Sequence, residues 1–372
     1  MLRKTALSWV ESRMTGKTDI TDIPSEIIAR RLLKQAEWCE KLDSMLYSRL
    51  LREAAADVRG LGVCWAVLQG HHADPPGSAL ALRFLGAVHR LVLEGKSSQL
   101  AACYPSMGGD AGCDELWPRF QRFVGEHEIE LSHLVHLPVQ TNEVSRCAAL
   151  LGGFLAVSQR TGLPLRLLEM GASAGLLLRW DYYRYDEGSE GWGDPASPVH
   201  ISGAFEGSWP RFNSAVKVVE RCGCDNFPIH PTTEEGKFTL QSYVWPDQVK
   251  RFHQLAAAME VARQVPAQVD KANAADWIET MLDVESKNAA TVVYHSIVWQ
   301  YLSPDERARI QRAIESAAQS ARPDRPLAWL RFEPGERHAE VRLKCWPGGD
   351  DQLLAQSGFH GTPVKWLGSK NC

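Results

Sequence analysis

The sequence predicts an α/β protein: an all-helical N-terminal domain followed by a Rossmann-like domain with a mostly parallel sheet, an antiparallel last strand and helices on both faces. Three observations predict this class. Residues 1–161 carry apolar residues mainly at helical spacing. A glycine-rich turn at 171–175 follows a short apolar run. Beyond it, β-branched runs alternate with helical patterns, as in a parallel sheet.

The N-terminal domain, residues 1–161, is expected to be a series of helices. The predicted helices are 25–58 (one or two, broken near Asp43), 78–94 (capped by Ser78, ended by Gly95), 114–136, and 142–159 with Asn142 as its cap. Thr161 and Gly162 are expected to close the last of them, and the first strand follows directly.

The second domain, residues 162–372, is expected to begin with a strand that ends at Glu169. Further strands are predicted at 216–220, 267–270, 291–295, 327–332, 340–346 and 362–367. Helices are predicted at 246–264 and from Ser303, where a serine cap precedes proline and two acids. Residues 181–214 are rich in aromatics, glycine and proline and are interpreted as an insertion with a short strand pair near 199–201.

Length and composition narrow the possible classes. The 372 residues are enough for two domains, and 44% apolar with 23% charged residues is ordinary for a globular protein. A net charge of −4 gives no reason to expect a nucleic-acid partner. There is neither an apolar run of membrane-spanning length nor a signal-peptide pattern, so a cytoplasmic protein without a membrane partner is expected.

The cysteine and histidine pattern does not predict a metal. The nine cysteines are scattered without a framework, which indicates reduced thiols. Cys222 and Cys224 form the closest pair, but no second pair stands at a spacing that would complete a zinc site. His133 and His136 lie one helical turn apart and are interpreted as ordinary helix residues.

Three interpretations compete for the turn at 171–175. A dinucleotide fingerprint, G-x-G-x-x-G, fails because Ser173 occupies the second glycine position. The nucleophile elbow of serine hydrolases, G-x-S-x-G, matches Gly-Ala-Ser-Ala-Gly letter for letter. The first motif of Rossmann-like methyltransferases, acid-x-G-x-x-x-G, matches Glu169, Gly171 and Gly175. Topology favours the methyltransferase, because a hydrolase elbow needs several preceding strands and the residues before 162 are predicted to be helical.

Several longer runs resemble a bacterial family known as domain-of-unknown-function family 2332. The runs are Pro-Val-Gln-Thr-Asn-Glu-Val at 138–144, Glu-Met-Gly-Ala-Ser-Ala-Gly at 169–175, Asp-Tyr-Tyr-Arg-Tyr-Asp at 181–186, Gly-Trp-Gly-Asp-Pro at 191–195, Gly-Cys-Asp at 223–225, Ser-Tyr-Val-Trp-Pro-Asp-Gln at 242–248 and His-Ser-Ile-Val-Trp-Gln-Tyr at 295–301. The likeness covers residues 27–367 and implies no established reaction. The chain departs from the family at Leu177, where members often carry Asn, and at His230, where they often carry Asp.

A methyltransferase would bind S-adenosylmethionine across the carboxyl ends of the strands. Four residues of the turn would line its amino-acid and ribose portion: Gly171, Ala172, Ser173 and Gly175. Glu169 would reach its amino group or, alternatively, cap a helix. Glu220 or Asp225 would bind the ribose hydroxyls, with Glu220 preferred by position. Asp276 and Trp277 would meet the adenine, with a plain core aromatic as the preferred alternative for Trp277.

The substrate is expected to be an unidentified small molecule. His295 is the candidate general base, or else an ordinary buried histidine. Tyr294, Ser296, Trp299 and Tyr301 would surround the acceptor, joined by Gln140, Asn142, Glu143 and Arg146 if the helix beginning there starts at the carboxyl edge of the sheet. Two alternatives remain: a serine hydrolase using Ser173 with His295 or His360, and a binding module without catalysis. The sequence does not predict the oligomeric state.

Overall fold

A computed structural model describes residues 23–210, 215–284, 286 and 288–368, and the chain folds into two compact units. The first contains residues up to Val139 together with 241–252, and the second contains residues 140–240 and those from His253 onward. The boundary predicted from the sequence lies at 161/162. The second unit begins earlier because the helix Arg146–Thr161 packs against its strands: the position of a Cβ on Gly153 is 2.3 Å from Leu330.

The first unit is built from helices, with no strand among its described residues. They are α1 (Pro24–Lys41), α2 (Met45–Arg59), α3 (Val63–Leu68), α4 (Leu80–Leu93), α5 (Ser98–Ala101), α6 (Leu116–Glu126) and α7 (Glu128–Leu134). Short 3-10 turns lie at Gln69–His71, Pro76–Ser78 and Pro105–Met107. The apolar faces of these helices form one core.

Two helix predictions in this unit need correction, and one is confirmed. The helix expected over 114–136 is two helices, because the backbone of His127 (φ −118°, ψ 25°) is not helical. Ser78 does not cap α4, which begins after Ala79 in the left-handed region (φ 50°). The break predicted near Asp43 is present, and the hydroxyl of Ser44 there donates to Asp247 Oδ1 (2.7 Å).

The second unit contains an eight-stranded sheet with helices. Its helices are α8 (Arg146–Thr161), α9 (Glu234–Ser242), α10 (Val249–Gln264), α11 (Ala274–Asp283) and α12 (Pro304–Ala318). The end of α9 and the start of α10 fall within the segment 241–252, which belongs to the first unit. Its strands are β1 (Leu165–Met170), β2 (Arg184–Glu187), β3 (Glu190–Trp192), β4 (His200–Ser202), β5 (Val218–Asp225), β6 (Gln268–Lys271), β7 (Ala290–Ser296), β8 (Leu327–Pro334), β9 (Ala339–Trp346), β10 (Asp351–Ser357) and β11 (Val364–Trp366).

The large sheet has the order β11-β10-β9-β8-β7-β1-β5-β6. Five neighbouring strands of this order, β8-β7-β1-β5-β6, pair in parallel. The strands β9, β10 and β11 each pair antiparallel with the strand before them in the chain. The prediction of an α/β chain with a mostly parallel sheet is confirmed. The expectation of one antiparallel strand was too simple, because the unpredicted strand β10 extends the last part into a three-strand meander.

The order of strands reverses at β1. The chain passes from β1 to β5 and β6 on one side, then returns to build β7 and β8 on the other. The carboxyl ends of β1 and β7 are therefore adjacent at a topological switch point, the usual place for a ligand in an open α/β sheet.

The segment after the glycine-rich turn differs from a minimal βαβ unit. In place of the α-helix of such a unit, a six-residue 3-10 segment follows the turn, Leu177–Tyr182, and it is interrupted at Arg179. The predicted insertion contains the small sheet β3-β2-β4, in which β4 corresponds to the pair expected near 199–201. Residues 211–214 lie outside the described residues.

Candidate functional site

The carboxyl ends of β1 and β7 form the centre of the candidate site. Glu169 pairs with Tyr294 in the parallel register, and Met170 pairs with His295. The turn that leaves β1 and the loop that leaves β7 therefore start side by side at the same edge of the sheet. Both lie within the second unit.

The turn after β1 has an unusual backbone. Gly171, Ser173 and Gly175 have φ values of 69°, 52° and 66°, a region that residues with a Cβ rarely adopt. A Cβ on Gly171 would lie 2.4 Å from Val298 Cγ2, and one on Gly175 would lie 2.9 Å from Val269 Cγ2. Both glycines are thus required by backbone conformation and by packing within the protein.

Polar side chains from two other elements hold this turn. Asp225, the last residue of β5, accepts hydrogen bonds from the backbone N–H groups of Ser173 at Oδ2 and Phe227 at Oδ1 (both 2.9 Å). The hydroxyl of Ser173 donates to Gln140 Oε1 (3.0 Å), and Asn142 Oδ1 accepts from the N–H of Leu176 (2.8 Å). Two other residues of the turn, Ala172 and Ala174, are buried.

These bonds place the residues before α8 at the carboxyl edge of the sheet. Asn142 does not cap α8, which begins at Arg146, because its side chain serves the turn instead. Arg146 donates from Nη1 to the carbonyl of Ser296 (3.1 Å) and from Nε to that of Phe359 (3.2 Å). The buried Glu143 has a carboxylate oxygen 3.4 Å from His360 Nδ1.

Glu169 is a buried carboxyl at the end of β1. Burial raises its pKa to about 8, and the hydroxyl of Tyr294, which donates to Oε2 (3.0 Å), opposes that rise. The charges of Arg179 and Arg146 also lower the pKa, by less. A carboxyl with a pKa near neutrality can change its protonation when a charged ligand approaches, which is a common property of functional sites. It does not cap an α-helix, since only the 3-10 segment follows it.

His295 forms a close pair with a residue of the neighbouring strand. Its Nδ1 lies 2.6 Å from Glu333 Oε1 in β8, and the same oxygen accepts from the N–H groups of Val298 (2.9 Å) and Trp299 (3.2 Å). A carboxylate at Nδ1 fixes the tautomer with the proton on Nδ1, so Nε2 is the basic nitrogen. Nε2 is buried and has no hydrogen-bond partner among the described residues. The indole of Trp299 stacks on the imidazole at 5.1 Å and 16°.

Glu333 was not among the residues predicted from the sequence. The predicted strand ended at Phe332, whereas β8 continues to Pro334. A signal was present, because 327–332 was predicted as the next strand after 291–295 in a parallel sheet. One more residue of strand brings an acid to the side of His295.

Two predicted cofactor acids lie away from the switch point. Glu220 is near the start of β5, not at its carboxyl end, and pairs with Arg166 (3.0 Å). The prediction ended this strand at residue 220, whereas β5 continues to Asp225. Asp276 lies in the first turn of α11 and pairs with Arg309 (2.7 Å) on the protein surface.

Two aromatic residues that were predicted to contact the cofactor or the substrate have other surroundings. Trp277 is a buried core side chain whose Nε1–H donates to Asp270 Oδ2 (2.8 Å). Tyr301 is 72% exposed and forms no wall beside His295, whereas Trp299 does. Ser296 is buried at the end of β7, where its backbone carbonyl is bound by Arg146.

One family model matches most of the chain. It is described as an uncharacterized protein conserved in bacteria (DUF2332) and covers residues 29–366. The chain belongs to this family. No curated protein and no solved structure matches the chain. Membership in the DUF2332 family therefore carries no reaction with it, and the chemistry must be inferred from the geometry.

Two further features of this DUF2332 chain bear on its chemistry. In the part of the chain that the structure describes, eight cysteines are free thiols and no group of three potential ligands is placed to hold a metal ion. Across the same residues, none of the helices combines the length and apolar character that crossing a membrane requires.

Proposed function

We propose that the second unit is a Rossmann-like, S-adenosylmethionine-dependent methyltransferase that acts on a small molecule. One observation carries the proposal: the switch point between β1 and β7 has the glycine-rich turn on one strand and His295 on the other. Open α/β sheets bind their ligands at the carboxyl ends of the strands at such a point.

The residues at the turn suit the polar end of this cofactor. Ser173 and Phe227 use two of the roughly four acceptor positions on the carboxylate of Asp225, which leaves positions for two ribose hydroxyls. Gly171, Ala172, Ser173 and Gly175 would line the amino-acid and ribose portion, and Glu169 would meet the ammonium group. The geometry supports Asp225 over Glu220 and offers no role to Asp276 or Trp277 at the adenine.

When bound, S-adenosylmethionine supplies an electrophilic methyl group. Methyl transfer needs an aligned nucleophile, and the protein contributes chiefly that alignment. In the proposal, His295 Nε2 accepts the proton that an oxygen or nitrogen nucleophile loses. Glu333 holds the ring in the required tautomer and stabilises the imidazolium that forms.

The serine hydrolase is the weaker candidate. The positive φ of Ser173 suits a nucleophile elbow. However, its hydroxyl donates to the amide oxygen of Gln140, which is not a base that could activate it. Among the described residues before β1 there are helices and no strands, whereas the elbow of a hydrolase follows several strands. A binding module without catalysis would share the cofactor site and lack turnover.

Calorimetric titration of the whole chain with S-adenosylmethionine and S-adenosylhomocysteine tests the proposal. We expect both to bind, and Asp225→Asn to weaken them at least tenfold. Asp276→Asn is a matched control, since it makes the same chemical change in an acid assigned no role. Absence of binding by the unaltered chain, or equal effects of the two substitutions, would overturn the proposal.

A further inference from the structure

A pocket of about 350 Å³ lies on the sheet face formed by β7, β8 and β9. His295, Arg331 and Arg342 are in register on the three strands, and Trp329 is in register with Lys344. Because side chains two apart in a strand share a face, Trp329, Arg331 and Glu333 all point to the same side as His295. The pocket is large enough for a small organic molecule.

Buried polar atoms without partners concentrate in this pocket. Four such atoms belong to residues that line the pocket, in the part of the chain described: His295 Nε2, Trp329 Nε1, Arg331 Nε and Glu333 Oε2. Buried polar groups in native proteins are nearly always hydrogen-bonded, and each exception calls for an explanation. The side chain of His295 is only 1% exposed. Two of these atoms, on Trp329 and Arg331, are donors, so the pocket offers paired positions for an acceptor.

The charges in the pocket limit the ligand. Arg331, Arg342 and Lys344 line it, but Asp351 accepts from Arg331 Nη2 (2.6 Å) and Glu340 from Arg342 Nη1 (3.0 Å). Four acids line the pocket beside these three cations: Glu315, Glu333, Glu340 and Asp351. This excess of acids disfavours a polyphosphate and limits the ligand to a single negative group. The Nε–H of Arg331 and the indole N–H of Trp329 suit a single carboxylate.

The aromatic lining indicates a planar body. The rings of His295 and Trp299 stack, and Trp329 lies 6.1 Å from the first and 5.8 Å from the second. The guanidinium of Arg331 lies over the ring of Trp329 at 4.6 Å. Flat aromatic ligands are favoured by such walls.

We propose that this pocket binds a small aromatic hydroxy acid, with the carboxylate on Arg331 Nε and Trp329 Nε1 and the hydroxyl on His295 Nε2. His295 and Arg331 lie on adjacent strands, which are about 4.8 Å apart. The two residues are direct neighbours in the sheet register, so one small ring can meet both side chains, and 3-hydroxybenzoate carries the required carboxylate and hydroxyl on such a ring. The inference goes beyond methyl transfer, because it concerns binding in the absence of any cofactor.

Three probes separate the two polar contacts. The full-length chain is titrated calorimetrically, without S-adenosylmethionine, with 3-hydroxybenzoate, benzoate (no hydroxyl) and phenol (no carboxylate). We expect 3-hydroxybenzoate to bind at least tenfold more tightly than either of the others. Failure of 3-hydroxybenzoate to bind saturably at millimolar concentration, or equal affinity for all three, overturns the assignment whether or not methyl transfer occurs.

Substitutions then locate the contacts. Arg331→Met keeps the side-chain volume and should lower the affinity for 3-hydroxybenzoate to that for phenol. His295→Gln should bind 3-hydroxybenzoate only as tightly as the unaltered chain binds benzoate. The variant should still bind benzoate with unchanged affinity, which also shows that it is folded. Arg309→Met, on α12 and outside the pocket, is the matched control and should change nothing. Unchanged binding by Arg331→Met, with a melting temperature near that of the unaltered chain, contradicts the proposal.

Discussion

The hydroxyl of Tyr294 donates a hydrogen bond to the buried carboxyl of Glu169 across the β1–β7 boundary, at 3.0 Å. The two residues are direct neighbours in the sheet register, so the contact follows from the strand order itself. It joins the strand before the glycine-rich turn to the strand that carries His295. Proton binding by Glu169 therefore affects the centre of the candidate site.

Glu169 should make stability depend on pH. Its folded-state pKa is raised to about 8 from an ordinary value of 4.5, with burial as the main cause. The folded protein then binds a proton more tightly than the unfolded chain. The stabilisation is complete below pH 4.5 and is lost as the pH rises through 8, by up to about 1.4 kcal/mol per pH unit.

Denaturant unfolding of the unaltered chain and of Glu169→Gln between pH 5 and pH 9 measures this effect. The difference between their unfolding free energies should change across the window, because glutamine does not titrate. A constant difference between the two proteins across this range would contradict a raised pKa.

Removing the hydroxyl of Tyr294 should move the pH range in which stability is lost to higher pH. The hydrogen bond from Tyr294 lowers the pKa of Glu169, so Tyr294→Phe should raise it further. The variant keeps the ring that packs edge-on against Phe154 and should lose about 1–3 kcal/mol for the unpaired carboxyl. The same unfolding series on Tyr294→Phe provides the measurement. Loss of stability over the same pH range as in the unaltered chain, or at lower pH, would show that the hydrogen bond does not lower the pKa of Glu169.

Glu333 should be required for turnover but not for cofactor binding. Glu333→Gln keeps the side-chain shape beside His295 and removes the charge that stabilises its imidazolium. We expect S-adenosylhomocysteine formation in a metabolite-extract incubation to fall at least tenfold. Calorimetric affinity for S-adenosylmethionine should stay within about threefold. A proportional loss of both would assign Glu333 a structural role only.

Ser173 should not react as a hydrolase nucleophile. Its hydroxyl is held by the amide of Gln140, so a fluorophosphonate probe should leave it unlabelled. Mass spectrometry of the treated chain, with an active serine hydrolase as positive control, measures this. Labelling at Ser173 that is lost in His295→Ala or His360→Ala would favour the hydrolase over the methyltransferase.

The sequence predicted the elements with strong patterns and missed contacts made by one or two residues at strand ends. The helix break near Asp43 and the cap at Ser303 are local features, and both are present; Ser303 forms a capping box with Glu306. The strand β10 was missed because Asp351–Ser357 carries polar residues on an edge-proximal strand and lacks a β-branched run. Propensity is a weak guide to such strands.

The candidate site depended on register, which sequence periodicity does not fix. Ending β5 at residue 220 made Glu220 the preferred ribose acid, whereas five more strand residues bring Asp225 to the turn. Trp277 has the same apolar pattern whether it stacks on a ligand or fills a core, and its indole N–H bonds to Asp270. Tertiary packing alone separates these roles.

Gly171 should be intolerant of any side chain for two separable reasons. Its φ of 69° costs a residue with a Cβ about 1–2 kcal/mol, and a Cβ there would lie 2.4 Å from Val298 Cγ2. A valine at 171 would therefore disturb the fold as well as any ligand site. Gly171→Ala should lose stability through both causes in the unaltered chain.

The same substitution in a Val298→Ala background should lose less, because the change removes both Cγ atoms, at 2.4 and 2.9 Å. It leaves the backbone cost and a milder approach of 3.2 Å to the Cβ of residue 298. Denaturant unfolding of the four proteins in this double-mutant cycle should give a favourable coupling of about 0.5–3 kcal/mol, as expected for contacting residues. Val269→Ala, whose side chain approaches Gly175 instead, is the matched control and should show no coupling with Gly171→Ala. Equal costs of Gly171→Ala in all three backgrounds would mean that the backbone conformation alone demands glycine at this position.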